Sequence, residues 1–402
     1  MKYLVLLCDG MADHPVESLG GKTPMQAAKK PNMDALAKVS EVGMCKTVAD
    51  GMKPGSDVAN LAVMGYDATK CYTGRSPLEA ASVGVEMSES DVTFRCNLVT
   101  LSEDGDYDDK TMIDYSAGDI DSCDGAKLIE YLQSELGTDE FSLYPGVSYR
   151  NLLLWRGGKT GIGTFTPPHD ISGRKITEYL NSNPEAKPII DMMRRSYDLL
   201  SNHEINKRRI AEGKHPANSA WFWGEGTKPT LESFYDKFGL KASVVSAVDL
   251  LKGIGKYTGM NVVDVNGATG YIDTNFDGKK DATLKEFEKG ADLVYLHIEA
   301  PDECGHRFET ENKVKSIELI DSLVLGPIVK GLKKYDDFRI LIMPDHPTPL
   351  DIGTHTAEPV PFMIYDSRIE KNGVDCFCES QAADGEYISF GPNIMKKLID
   401  QL

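Results

Sequence analysis

Apolar positions fall into short continuous runs separated by stretches with helical spacing, an alternation that predicts strands and helices in turn. The run Tyr3 to Cys8 predicts a buried strand over residues 2–8. Thr23 before Pro24 has the form of a helix N-cap with proline at the first position. Pro31 should close that short helix, and Asn32 to Lys38 reads as another. Glu41 to Val48 predicts a strand, and Val58 to Met64 a helix ended by Gly65. From about Val85 the pattern changes to shorter strands and loops. Strands are predicted over Val92–Thr100 and Leu152–Trp155, then a turn at Pro167-Pro168-His169-Asp170. A basic helical stretch, Met192 to Ile210, precedes a Gly224-Glu225-Gly226 turn. Strand–helix alternation resumes with Ala242–Val245, Val262-Val263 and Leu293–Ile298. A long helix from Lys313 to Lys334 leads into Phe338–Met343, then a strand Pro361–Tyr365 and a helix Ile394–Leu402.

Helices between apolar strands imply an α/β architecture with a mostly parallel sheet. A chain of 402 residues exceeds one ordinary core. The simplest organisation is an α/β domain made from both chain ends, residues 1–85 and 240–402, with a smaller α+β domain, 86–239, inserted. The formal net charge of −18 argues against a nucleic-acid or anionic-membrane partner. No apolar stretch reaches the length of a transmembrane helix, and no basic leader opens the chain, so a cytoplasmic protein is expected. Of the eight cysteines only Cys376 and Cys378 are close-spaced, and one intervening residue is not a zinc or thioredoxin spacing; reduced thiols are expected.

Candidate chemistry sits at both ends of the chain. Asp9, Asp302 and Asp345 each follow a predicted buried strand, the edge of an α/β sheet where ligands bind. His306 lies four residues after Asp302, so a helical turn puts both on one face. His346 adjoins Asp345, and His355 follows in a Gly-Thr-rich loop. This mixture of carboxylates and imidazoles suits divalent ions. Ser56, in Pro54-Gly55-Ser56-Asp57, reads equally as a helix cap or as a nucleophile at a helix N-terminus. The two readings are compatible.

The segments Met1–Gly10, Pro54–Asp67, Tyr72–Ala80, Phe94–Asn97, Pro301–His306 and Pro344–Pro349 resemble the archaeal-type cofactor-independent phosphoglycerate mutases of the alkaline phosphatase superfamily. The likeness runs over nearly the whole chain. It implies an alkaline phosphatase-like mostly parallel sheet flanked by helices, with the inserted smaller α+β domain binding substrate. It implies one ion held by Asp302, His306 and His355, and a second by Asp9, Ser56, Asp345 and His346, with Mn²⁺, Mg²⁺ or Zn²⁺ as the ions. Ser56 would take the phosphoryl group from a small phosphorylated substrate and return it to the other hydroxyl, interconverting 2- and 3-phosphoglycerate in glycolysis.

The middle of the chain departs from the family pattern. An arginine-rich segment of the form D-R-R-A-G-R-I is replaced by Asp114-Tyr115-Ser116-Ala117-Gly118-Asp119-Ile120. Trp221-Phe222-Trp223 stands where an arginine is expected before Gly224-Glu225-Gly226. Losing arginine removes bidentate recognition of carboxylate or phosphate. The remaining substrate-binding candidates are Arg75, Arg95, Arg150, His169, Asp170 and Lys252, with Arg174 a further basic residue. The arginine-poor middle keeps a homoserine kinase-type phosphotransferase, and behind it a phosphatase, as alternatives to the mutase. Asp273–Gly278 copies half an EF-hand loop, but Leu284 stands where a bidentate Glu is needed, so a polar surface turn is expected there. The sequence leaves the oligomeric state open.

Overall fold

A computed structural model describes residues 1–400. Its strands are β1 (Lys2–Cys8), β2 (Glu41–Cys45), β3 (Val92–Leu101), β4 (Met112–Asp114), β5 (Phe141–Val147), β6 (Arg150–Trp155), β7 (Ser219–Thr227), β8 (Ala242–Val245), β9 (Asn261–Val263), β10 (Leu293–Ile298), β11 (Phe338–Met343), β12 (Val360–Asp366) and β13 (Glu386–Ile388). The chain divides into two compact units, Met1–Tyr72 with Thr230–Leu402, and Thr73–Pro229.

The first unit is a mostly parallel α/β sheet in the order β13-β2-β12-β11-β1-β10-β8-β9. β1 lies between β10 and β11 and is parallel to both, with Cys8 opposite Ile298 and Leu7 opposite Met343. All three are fully buried from end to end or nearly so, because helices cover both faces, and this explains their uninterrupted apolar runs. In-register ends of three adjacent parallel strands place the residues that follow them at one sheet edge. β12 runs antiparallel to both neighbours, an exception the apolar pattern alone does not reveal.

The second unit is an antiparallel sheet in which β3 pairs with β4, β6 and β7, and β6 with β5. Helices Ser122–Leu136 and Lys187–Leu200 contribute Leu128, Ile129, Leu132, Ile189 and Met193 to its own core. The helix Ser76–Ser82 belongs here as well, with Ser76 Oγ donating to the Thr93 carbonyl at 3.0 Å. The unit therefore begins at residue 73, ahead of the change in apolar pattern near Val85.

Four local expectations need correction. The stretch Met192–Ile210 is two helices, Lys187–Leu200 and Glu204–Ala211, because His203 accepts from the Ile205 amide (3.2 Å) and Asn206 donates to the Leu200 carbonyl (2.9 Å). The Gly224-Glu225-Gly226 segment is not a turn but part of β7, where Gly224 at φ +63° absorbs a register shift opposite Thr93 and Arg95. The long helix starts at Thr310 and contains a π-helical stretch, Ile320–Leu325, just before Pro327, whose missing N–H cannot continue the α ladder. The half EF-hand is a helix start: Asn275 Oδ1 accepts from the Gly278 amide at 2.8 Å, capping Phe276–Glu288. The terminal helix spans Asn393–Leu398, and the last two residues of the predicted segment lie outside the described residues. Among the described residues no helix is long and apolar enough to cross a membrane.

Candidate active site

Six of the seven side chains picked out at the chain ends converge directly at the carboxyl edge of β1, β10 and β11. Asp9 follows β1, and its amide donates to Ile298 at the end of β10 (2.9 Å). Asp302 sits in the short helix Ala300–His306, one turn before His306. Asp345 and His346 follow β11, and His355 stands in the loop beyond. Ser56 joins them from the first position of the helix Ser56–Val63, its Oγ 3.0 Å from His346 Nε2.

The cluster is tight. Asp302 lies 3.2 Å from His306 Nε2 and 3.4 Å from His355 Nε2, and the two imidazole nitrogens are 2.9 Å apart. His346 Nε2 is 3.5 Å from Asp9 Oδ1 and 3.4 Å from Asp345 Oδ2. Three groupings have donor atoms close enough for one ion: Asp302 with His346 and His355, Asp9 with Asp345 and His346, and Asp9 with Glu299 and Asp302. His346 thus bridges the two sets that the sequence kept apart.

Neighbouring residues fix each donor. His306 Nδ1 lies 3.0 Å from the Gly353 carbonyl, to which it donates, leaving Nε2 to face Asp302. Thr348 hydrogen-bonds Asp302, and its hydroxyl is 3.3 Å from His346 Nδ1. Asn60, one turn after Ser56, donates to the Ser56 carbonyl (2.8 Å) and to Asp345 Oδ2 (2.7 Å), and accepts from Tyr295 (2.7 Å). His297 is 2.9 Å from Asp9 Oδ2 and 3.1 Å from Ser246 Oγ. The Ser246 oxygen also accepts from the Val248 amide at 3.0 Å, which ties His297 to the loop after β8. Lys313, fully buried, spans Asp13 (2.6 Å) and the Thr348 carbonyl (2.8 Å) beneath the same edge.

Sequence reading missed Asn60, His297, Thr348 and Glu299. A signal existed for two of them: Asn60 is the lone polar residue of the run Val58–Met64, and His297 interrupts the apolar Leu293–Ile298.

The electrostatics are those of a site short of positive charge. Burial and the neighbouring carboxylates of Asp345, Asp302 and Glu299 push Asp9 well above the ordinary carboxyl range. Its Oδ1 is buried and has no hydrogen-bond partner. Burial alone would raise Asp302 too, but hydrogen bonds from His306 and His355 hold it well below its usual value. His306 is raised to about 9, its bond to Asp302 outweighing the burial that lowers it. Burial lowers His297 to about 3, so it is neutral. An orphaned carboxylate oxygen amid imidazoles is the donor chemistry a divalent ion satisfies, so these residues fit metal ions.

In the second unit, β3–β6 and β3–β7 pairing gathers the guanidinium candidates. Arg75 and Arg95 each donate through Nε to opposite oxygens of Glu79 at 3.0 Å. Arg95 stacks on Trp223, its cross-strand partner, at 4.3 Å, and the Arg150 charge also acts on Glu79. His169 packs edge-on against Trp223 (5.3 Å) and Tyr115 (6.0 Å), with Asp170 3.6 Å away. Burial lowers His169, favouring its neutral form. Two residues from the arginine-lacking segments are thus part of this cluster: Tyr115 packs against His169 and Trp223 against Arg95. Lys252 is in the first unit, where it pairs with Asp264 at 2.7 Å, and Arg174 in the second donates to Tyr179 at 3.1 Å.

A mostly parallel sheet with buried carboxylates and imidazoles at its carboxyl edge, and a serine hydroxyl against them, defines an α/β protein with a candidate metal-dependent phosphoryl-transfer site. The family model described as 2,3-bisphosphoglycerate-independent phosphoglycerate mutase matches residues 37–206. A Geobacter sulfurreducens protein named as a probable 2,3-bisphosphoglycerate-independent phosphoglycerate mutase is 51% identical over 403 residues, covering 100% of both chains. A Methanothrix thermoacetophila protein named as that mutase is 48% identical over 400 residues, 99% of each. Among solved structures, a Pyrococcus horikoshii protein is similar at a TM-score of 0.84 and 28% identity, over 100% of this chain and 98% of that one. The cofactor-independent phosphoglycerate mutase of Thermoplasma acidophilum gives 0.69 at 26%, over 100% and 99%. The chain belongs to the 2,3-bisphosphoglycerate-independent phosphoglycerate mutase family.

Proposed function

We propose that the protein interconverts 2- and 3-phosphoglycerate without 2,3-bisphosphoglycerate, passing the phosphoryl group through Ser56. The observation that carries this reading is the Ser56 hydroxyl, 3.0 Å from His346, at a helix N-terminus in a cluster where a buried Asp9 carboxylate oxygen has no hydrogen-bond partner. Relatives named for this activity match along the whole chain and favour it over a homoserine kinase or a phosphatase. We assign one divalent ion to Asp302, His306 and His355, and a second to Asp9, Ser56, Asp345 and His346. Mn²⁺, Mg²⁺ and Zn²⁺ all suit this mixed oxygen and nitrogen set. When bound, such ions supply Lewis-acid charge and lower the pKa of a serine hydroxyl.

The remaining work belongs to the chain. His346 orients Ser56 Oγ, and the amides of the first helical turn stabilise negative charge on that oxygen and on an arriving phosphate. Ser56 Oγ bonds to phosphorus as the bond to one glycerate oxygen breaks, and the serine proton ends on the released hydroxyl. The glycerate reorients, its other hydroxyl attacks the phosphoserine, and the serine regains a proton. Asn60 keeps Asp345 from turning away during both steps. We assign recognition of the substrate carboxylate to Arg75, Arg95 and Arg150 with His169 and Asp170, a set carrying more positive than negative charge. With this substrate we place the protein in the cytoplasm.

An enolase-coupled assay with 3-phosphoglycerate and Mn²⁺, free of 2,3-bisphosphoglycerate, tests the reading. Formation of 2-phosphoglycerate is expected. Its absence, together with ATP-dependent phosphorylation of homoserine, would contradict it.

A further inference from the structure

His14 has no part in the chemistry assigned so far, yet both of its ring nitrogens are engaged. Nδ1 lies 3.1 Å from each oxygen of Asp351, and Nε2 lies 3.1 and 3.2 Å from those of Glu358. A neutral imidazole has one N–H and one lone pair, so it would set that lone pair against a carboxylate. Only the imidazolium donates on both sides. These two carboxylates face the ring. Beside it, Asp13 accepts from the His14 amide (2.8 Å) and from Lys313 (2.6 Å), and the Asp13 amide donates to Glu379 (3.1 Å). Partial burial lowers the His14 pKa, but the bonds to Asp351 and Glu358 outweigh it and leave the group raised.

Asp351 and Glu358 flank His355 in the chain. The loop 351–358 is half-buried or exposed throughout, so little apolar packing holds it. The residues leading into it are tied to the segment after β1: Pro347 pairs with Met11 and Ala12, and the Leu350 amide donates to Asp13 at 3.1 Å. His14 extends the same platform to Asp351 and, across the loop, to Glu358 beyond His355. The loop also supplies the Gly353 carbonyl that accepts from His306 at 3.0 Å. Two imidazoles assigned to one ion therefore depend on its shape.

We infer that His14 is a positioning residue for the His355 loop: as a cation it straps Asp351 to Glu358 around His355, and the strap opens when the ring loses its proton. The role rests on the assignment of His355 to a divalent ion. A folded pKa above the ordinary value of about 6.5 makes the strap complete below that value and lost as pH rises through the raised one. The Asp351 and Glu358 side chains are 63% and 53% exposed, so both pairs are screened and their effect is modest. A loop that must be ordered to bind loses apparent affinity in proportion to the time it spends open.

Mn²⁺ affinity, measured by competition with a chelator between about pH 6 and pH 9, tests this on the full-length protein, His14→Gln and His14→Arg. At the lower pH, His14→Gln should bind about three- to tenfold more weakly than the unmodified chain, and the ratio should close toward one at the higher. Ligand deprotonation strengthens binding with pH in every form and cancels in the ratio. His14→Arg, whose charge persists, should bind like the unmodified chain at the lower pH. In the metal-free protein at that pH, amide exchange over 352–357 should be faster in His14→Gln than in the unmodified chain. A glutamine variant with unchanged affinity, a ratio constant across the pH range, or an arginine variant as weak as the glutamine one would overturn the inference. An unmodified chain that binds no Mn²⁺ while loop exchange still responds to His14→Gln would contradict the metal assignment and uphold the strap.

Discussion

The two clusters of the chain treat charge in opposite ways. At the carboxyl edge of the first unit, Asp9, Asp302 and Asp345 are buried together, their nearest basic partners are imidazoles, and one Asp9 oxygen has no hydrogen-bond partner. In the second unit the buried carboxylate is matched within the protein: Glu79 stands between Arg75 and Arg95, and Trp223 covers the Arg95 face. The first arrangement is unfavourable until a cation arrives, whereas the second is stable as it stands and, in the proposed function, exchanges partners to bind. The two clusters are therefore built on different principles, one on strand ends and the other on cross-strand register.

The sharpest way to break the comparison is Ser56→Ala. Mutase turnover should fall by at least about 10³-fold while metal content, measured by elemental analysis, stays near that of the parent. Metal loss in this variant would mean the hydroxyl is structural. Next comes Asn60→Leu, which removes the donor to Asp345 and to the Ser56 carbonyl while leaving every assigned ligand in place. Metal affinity should weaken about 10–100-fold by competition with a chelator, the range expected for an outer partner of a ligand. In the second unit, Arg95→Lys keeps the charge but loses the planar stack on Trp223 and the Nε hydrogen bond to Glu79. KM should rise about tenfold, with kcat changed less and metal affinity unchanged.

The smallest effect sharpens the contrast within the first unit itself. Asp366 is a carboxylate already matched, receiving Arg339 Nε at 2.6 Å and Arg368 at 2.7 and 2.9 Å. Burial would raise it, but hydrogen bonds from Arg368 and Arg339 hold it well below the ordinary range. A depressed folded pKa adds stability that is present above the unfolded value near 3.9 and lost as pH falls below it. Asp366→Asn should cost about 1 kcal/mol at pH 7, or about 2–4 °C in Tm, and flatten the acid limb of stability below pH ~4. Metal ions should leave that limb unchanged.

Much of the first cluster was legible because buried parallel strands are apolar throughout, so a charged residue directly after one is easily seen. Asp9, Asp302 and Asp345 were found in this way. The sharing of His346 between donor groupings was not, because side-chain direction in a strand-end loop leaves no periodic trace. The second cluster was harder to read. Arg95 facing Trp223 depends on antiparallel register, and that register includes a shift at Gly224 that looks like a turn in sequence. The missing arginines suggested lost anion recognition, yet Trp223 and Tyr115 from those segments pack against Arg95 and His169. Capping geometry read well at Thr23, which forms a full capping box with Gln26, and poorly at Asn275, where calcium-loop spacing obscured it.

The central claim is that the phosphoryl group rests on Ser56 between donor and acceptor. Rapid acid quenching of the metal-loaded protein with 3-phosphoglycerate, followed by phosphopeptide mapping, measures this directly. The account predicts a phosphate on Ser56 that appears within the first turnover and disappears when substrate is exhausted. Sustained formation of 2-phosphoglycerate with no phosphate on Ser56, or with phosphate on another residue, would contradict it.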